Sequence, residues 1–263
     1  PEEGNGAMSI SRERLGSLLV ILGFFATWEL ACLAFSISPL VLPRPSEILT
    51  VLVTRWPALM PHTIQTLYTT LVGFALGVSV GIMIGMLIGS SRFAYKVAFP
   101  LLVGFSSIPK VAVVPILVLW FGAGTVPAII TAMIISIFPV VVNVATGLAT
   151  TEPELEDVLK TWKASKMDIL FNVGLPRTMP YLFASLKVAV TLAFVGTVIA
   201  ETVASNRGIG NMMLIASSNF NVPLVFAGLF ILAGLGVALY AVFSLIEKRV
   251  TGWANRKTEF AMG

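Results

Sequence analysis

Charged side chains make up only 11% of this 263-residue sequence, where an ordinary soluble domain carries about 25%. A soluble fold of this size has to cover its surface with charge, so most of this exterior is apolar and its solvent is lipid. Cysteine and histidine are scarcer still, with Cys32 and His62 each standing alone. One cysteine excludes an internal disulfide, and one His with one Cys cannot build a usual zinc site. His62 follows Pro61 at the edge of an apolar run and reads as a solvated cap, not a ligand. No glycine-rich phosphate loop is present: GAGT at 122–125 and RGIGN at 207–211 lack the strand-to-helix setting that such a loop needs. The paired His or Asp clusters of a membrane-embedded enzyme are missing as well, so the chain reads as a non-enzyme with no catalytic residues, no metal site and no bound cofactor of its own.

What is abundant is hydrocarbon. Residues of the set AVILMFWYC make up 57% of the chain, and the mean hydropathy is +0.93. Such values exclude a secreted disulfide scaffold, a disordered tail and a DNA-binding domain. Because about 20 helical residues cross the hydrocarbon core, six stretches qualify as spans: 15–35, 64–89, 97–121, 126–148, 179–203 and 222–246. The fold class is therefore all-α, a polytopic membrane protein with about six transmembrane helices. The first stretch reads as a retained helix, since it is longer than a signal-peptide core, holds Glu29 and lacks an Ala-x-Ala site.

The basic residues fix the orientation. With the N-terminus inside, twelve of the 17 Lys and Arg (Arg12, Arg14, Arg92, Lys96, Lys160, Lys163, Lys166, Arg177, Lys248, Arg249, Arg256 and Lys257) lie on the cytoplasmic side. Only Arg44, Arg55 and Arg207 lie outside, while Lys110 and Lys187 fall within spans. This asymmetry predicts both termini in the cytoplasm and explains the net charge of +4 without nucleic acid. The organisation is one membrane domain over 15–250 with a cytoplasmic loop at 149–178, flanked by cytoplasmic tails at 1–14 and 251–263. The link between the first two spans carries an interfacial helix near 46–55, and 122–125 is a tight turn.

Three spans carry further signals. Gly73, Gly77, Gly81, Gly85 and Gly89 lie four residues apart and line one helix face, which permits close helix packing either within the chain or against a second copy. Pro100, Pro109 and Pro115, with Ser106 and Ser107 beside the second, predict a helix that is either broken along a polar pathway or kinked and fully packed. Charges inside a membrane demand partners. Counting 1.5 Å per residue puts Glu29 and Lys110 at a similar height, which allows an ion pair, and places Glu201 at the wet outer end of its span. Lys110 and Lys187 either form structural pairs or face a central cavity and attract an anion. Lys110, Ser106, Ser107, Lys187 and Glu201 are thus the candidate translocation-pathway residues.

The cytoplasmic loop holds TEPELEDVLKTWKASKMDILFNVGLPRTMP from Thr151. Thr151 and Glu154 have capping-box spacing, Pro153 suits a first turn, and Glu152, Glu154, Glu156 and Asp157 favour a helix N-terminus. Leu155, Val158, Leu159 and Trp162 then repeat at helical spacing, giving a short amphipathic helix able to dock on lipid or in a partner's groove. Its mixed polar face argues against a purely lipid-binding role.

These residues resemble the signature loop of binding-protein-dependent ABC importer permeases, E-A-A-x3-G-x9-I-x-L-P. Asp157 takes the Glu position, Val158 and Leu159 the Ala positions, Lys163 the Gly, Val173 the Ile, and Leu175 and Pro176 match outright. LPRPSEIL at 42–49, VPILVLWFGAG at 114–124, ETVASNRGIGNMM at 201–213 and FNVPLVFAGLFILAGLGVALY at 220–240 are similar to the nitrate/sulfonate/taurine-type branch. The resemblance implies a type I ABC importer permease fold in a bacterial inner membrane, working beside a second permease copy. It implies two cytoplasmic ATPase subunits that hold ATP and Mg2+, and an extracytoplasmic solute-binding protein. Leu155, Asp157, Val158, Leu159, Trp162, Lys163, Ala164, Leu175 and Pro176 become the ATPase-coupling residues. The implied cargo is a small anion such as nitrate, a sulfonate or taurine, or alternatively a pyrimidine-type or aromatic compound. A passive channel is the competing class, but a pore has no need of a charged docking helix.

Overall fold

The computed structural model describes residues 3–150 and 161–259, and all regular structure among them is helical. Nine longer helices follow one another among the described residues: α1 (Glu3–Ala34), α2 (Pro45–Thr54), α3 (Trp56–Gly89), α4 (Arg92–Ser106), α5 (Val114–Phe121), α6 (Thr125–Ala149), α7 (Leu175–Ala204), α8 (Ile209–Ser218) and α9 (Val222–Glu259). Among the described residues five segments are long and apolar enough to cross a membrane: Leu15–Ala34, Trp56–Gly89, Thr125–Ala149, Met167–Val203 and Val222–Thr251. The sixth expected span falls on α4 and the run Lys110–Phe121, which are apolar and long enough to cross only when taken together and are bent by 73° where they meet. Of the two readings of its prolines, the broken helix holds. Pro109 lacks an N–H, and a 3₁₀ turn at Lys110–Val113 redirects the chain into α5.

The chain divides into two compact units, Pro1–Met60 with Met212–Phe230, and Pro61–Asn211 with Ile231–Gly263. In the first, Trp28 on α1 stacks on Phe230 of α9, while Phe25 meets Phe230 and Trp28 meets Phe226 at tilted angles. The short helix expected near 46–55 is observed as α2, with Pro45 in its first turn and the Glu47 carboxylate accepting the Arg44 N–H at 3.1 Å. For Glu29 the partner observed is on α2. Its carboxylate accepts both the N–H and the hydroxyl of Ser46, at 3.1 and 2.7 Å, because the exposed N-terminal amides of α2 satisfy an anion at short range.

The second unit is organised by the glycine stripe of α3. A Cβ added at Gly73, Gly77, Gly81, Gly85 or Gly89 would lie 2.0 to 2.8 Å from Ala132, Ser136, Val140, Val144 or Leu148 of α6, respectively. The partners also step by four, and each pair is offset by the same 59 positions, so the helices run parallel in constant register. Of the two readings of the stripe, packing within the chain is the one observed. With no hydrophobic drive between helices in lipid, this backbone approach supplies the van der Waals contact that holds them. Ala189, Val190, Ala193 and Phe194 of α7 complete the core, joined by Leu239 of α9. Phe74 and Phe243 meet edge to face at 4.9 Å.

The turn at 122–125 is tight, with Gly122 and Gly124 at φ of 78° and 148°, values open to glycine and poor for other residues. α5 is anchored by Val114, buried together with Ala128 of α6 and Ala200 of α7. By contrast, α4 has no buried residue at all.

Candidate functional site

Three regions carry the expected functional residues. Leu155, Asp157, Val158 and Leu159 of the docking helix lie outside the described residues. From 161 the loop is defined, and Trp162 is 81% exposed. Beside it Lys163 sits in the left-handed region at φ 59°, where an L side chain crowds its own carbonyl. That conformation is one that glycine accepts readily, and here a lysine adopts it. Ala164 is half-buried. Ser165 then caps the next turn: Asp168 accepts its N–H at 2.9 Å and its hydroxyl at 2.6 Å, and returns its own N–H to Ser165 Oγ at 3.2 Å. Through a π-helical turn at Leu170–Gly174 the chain enters α7, whose first turn holds Leu175 and Pro176. From Thr161 onward the chain thus runs without a long break into α7.

The second region is the bend between α4 and α5. The hydroxyls of Ser106 and Ser107 both donate back to the Val103 carbonyl, at 2.6 and 3.2 Å, as hydroxyls do when they replace missing helix bonds. Lys110 Nζ donates to the Ser106 carbonyl at 3.0 Å and stands 5.6 Å from the Phe138 ring centre. One cation therefore bridges the break, held by a backbone dipole and an aromatic face. Lys187 is arranged differently. Its ammonium forms an ion pair with Glu247 of α9 at 2.5 Å, both side chains 21% exposed. Sequence reasoning missed this partner because Glu247 lies one residue beyond the expected end of its span.

The third region corrects the expectation for Glu201. It is not wet but 1% exposed. Its Oε2 accepts the Thr66 hydroxyl at 2.8 Å and the Gly210 N–H at 3.1 Å. Thr66 Oγ1 in turn accepts the Ile209 N–H at 2.9 Å, and His62 Nδ1 accepts the Gly208 N–H at 3.2 Å. His62 is consequently a half-buried partner of this turn, not a solvated cap. The turn folds back over the end of α7 because Gly208 takes φ 112° and a Cβ there would meet the Glu201 carboxyl carbon at 2.2 Å. Its hydrogen-bonding partners, Thr66 and His62, are one helical turn apart on α3. The buried threonines of that face, Thr63, Thr66, Thr69 and Thr70, are the signal that could have flagged a polar seam. Among the described residues no group of three or more His, Cys, Asp or Glu gathers to hold a metal.

Residues 73–252 match the family described as binding-protein-dependent transport system inner membrane component. The chain is 29% identical to the formylaminopyrimidine transport permease protein ThiX of Halalkalibacterium halodurans, over 95% of this chain and 100% of that one. It is 32% identical to the riboflavin transport system permease protein RibX of Chloroflexus aurantiacus, over 91% and 90%. Permeases named for aliphatic sulfonates, nitrate and taurine match as well. In three dimensions the chain resembles an inward-facing MetNI methionine ABC transporter, with a TM-score of 0.65 at 19% identity, covering 74% of this chain and 98% of that one.

Proposed function

The chain belongs to the family of binding-protein-dependent transport system inner membrane components, and from that premise we propose how it works and what it carries. It is the permease component of an ABC importer, a transport subunit with multiple membrane helices. In the mechanism we propose, two ATPase subunits hold ATP and Mg2+ at the cytoplasmic face. Their closure displaces the loop from Leu155 to Ala164, and Leu175 and Pro176 carry the displacement into α7 as a rigid-body movement. Both termini are cytoplasmic, the single membrane domain spans 15–250, and the surrounding lipid covers the exposed apolar faces.

A second copy of the chain completes the pathway. The support is the α4–α5 bend: in hydrocarbon an interrupted helix requires cover from protein or from a water-lined cavity, yet no residue of α4 is fully buried within its own chain. Two copies meeting here would place Ser106, Ser107 and Lys110 along a shared passage.

For the cargo we favour a small heteroaromatic compound, of the pyrimidine or flavin kind, delivered by an extracytoplasmic binding protein. The observation that carries this choice is the Lys187–Glu247 pair. It neutralises one of the two intramembrane cations on which an anion reading rests. The other, Lys110, lies over Phe138 in an arrangement suited to flanking a planar ring. The relatives named for formylaminopyrimidine and riboflavin point the same way. A thermal-shift screen of the partner binding protein tests it: pyrimidines or flavins are expected to raise its Tm, while stabilisation by nitrate, taurine or alkanesulfonates alone would return the choice to an anion.

A further inference from the structure

Three successive backbone amides, those of Gly208, Ile209 and Gly210, are held by three different side chains, His62, Thr66 and Glu201. These amides open α8, where helix N–H groups have no intrahelical acceptor. Two of the acceptors come from α3 and one from α7, so the turn is fastened to both helices at once. The fastening extends through the turn itself: Ser205 Oγ donates to the Arg207 carbonyl at 2.6 Å, and Asn211 Nδ2 donates to the Ser205 carbonyl at 2.6 Å. At the tip, Arg207 joins this network through its backbone alone. Asn206 and Arg207 have exposed side chains, and Arg207 is one of three cations assigned to the outer side.

A carboxylate enclosed this completely at the end of a membrane span is costly, and the residues around it leave no space for cargo. The position where a Gly208 Cβ would stand is 2.3 and 2.4 Å from the two carboxylate oxygens, so the glycine Cα–H faces the carboxylate, whose Oε1 is buried without a hydrogen-bond partner. Glu201 therefore faces protein on every side and cannot line an open pathway. We propose that Glu201 is a positioning residue for docking: with His62 and Thr66 it holds the turn 205–211 in the shape that presents Asn206 and Arg207 to the extracytoplasmic solute-binding protein, where Arg207 meets a carboxylate of that partner. The inference rests on the importer reading above.

The test uses the full transporter in liposomes, titrated with its binding protein while ATP hydrolysis is followed. Glu201→Ala removes both hydrogen bonds to the carboxylate and is expected to raise the half-saturating concentration of binding protein about tenfold with the maximal rate kept within about twofold. Glu201→Gln, which still offers an oxygen to Thr66 and Gly210, should restore most of that affinity, and Arg207→Glu should weaken docking as Glu201→Ala does. A purely structural role predicts the reverse split, a lower maximal rate at unchanged half-saturation, and that result overturns the proposal. Hydrogen exchange on the unsubstituted transporter adds a test that needs no variant: the amides of 208–210 should be protected, and rapid exchange there in an otherwise protected chain rules out the clamp. If the unsubstituted transporter shows no stimulation at all, the importer reading falls first.

Discussion

Lys163 occupies a conformation that most residues avoid. At φ 59° its backbone is left-handed, which costs an L-residue about 1–2 kcal/mol, whereas glycine accepts it and loses about 0.5–1 kcal/mol through the greater freedom of its unfolded chain. The difference leaves about 0.5–1 kcal/mol in favour of glycine. Lys163→Gly should therefore raise the Tm of the purified permease by a small margin, and Lys163→Val, whose branched Cβ fits this region worst, should lower it. Equal melting temperatures for the three proteins would show that this turn carries no strain. The sequence pattern located the position through its departure from the resembled loop; what it could not reveal is that the lysine adopts a left-handed conformation. Glu201 shows the opposite limit. Counting residues along a helix puts its carboxylate at the aqueous end of the span, but the count knows nothing of a turn that folds back over it. Only the spacing of Gly208 and Gly210 hints at backbone passing so close to a side chain.

Among elements, the pairing of α3 with α6 has the sharpest requirement. Gly77 is the tightest point, where a Cβ would lie 2.0 Å from Ser136 Oγ and 2.7 Å from the Met133 carbonyl. Because the carbonyl belongs to backbone and cannot rotate away, Gly77→Val should destabilise the helix pair by about 3 kcal/mol, at the upper end of what overpacking usually costs. Gly23→Ala on α1, where no atom stands within 4 Å of the new Cβ, should leave stability unchanged or slightly raised through helix propensity. Thermal unfolding in detergent compares the two, and equal melting temperatures would contradict the assigned packing. The five glycines were legible as a packing face from their period alone. Their partner was not, because Ala132, Ser136, Val140, Val144 and Leu148 have no composition in common and share only their spacing. The bend between α4 and α5 was legible in Pro109 and its two serines, since proline acts on the backbone locally and needs no knowledge of the rest of the fold.

For the molecule as a whole, the importer reading makes the cytoplasmic loop the place where chemical work enters. Trp162 is largely exposed, and aromatic anchors of this kind dominate docking energies when they fill a partner's pocket. Replacing Leu159 and Trp162 together by Glu should lower uptake per ATP hydrolysed by about tenfold or more, the loss expected when such an anchor is removed, while thermal unfolding of the isolated permease stays as before. Unchanged coupling in that variant would count heavily against the docking role. The constant register between α3 and α6 has a further bearing on how such a machine can move. Glycine notches every four residues meet side chains every four residues, so the smallest slide that refits them is about 6 Å at 1.5 Å per residue. Between those positions side chains collide with backbone, and the pair behaves as a toothed rack with widely spaced stops. An input smaller than one tooth leaves the rack engaged, and its travel appears instead at the joint where the chain is already bent, between Ser106 and Lys110.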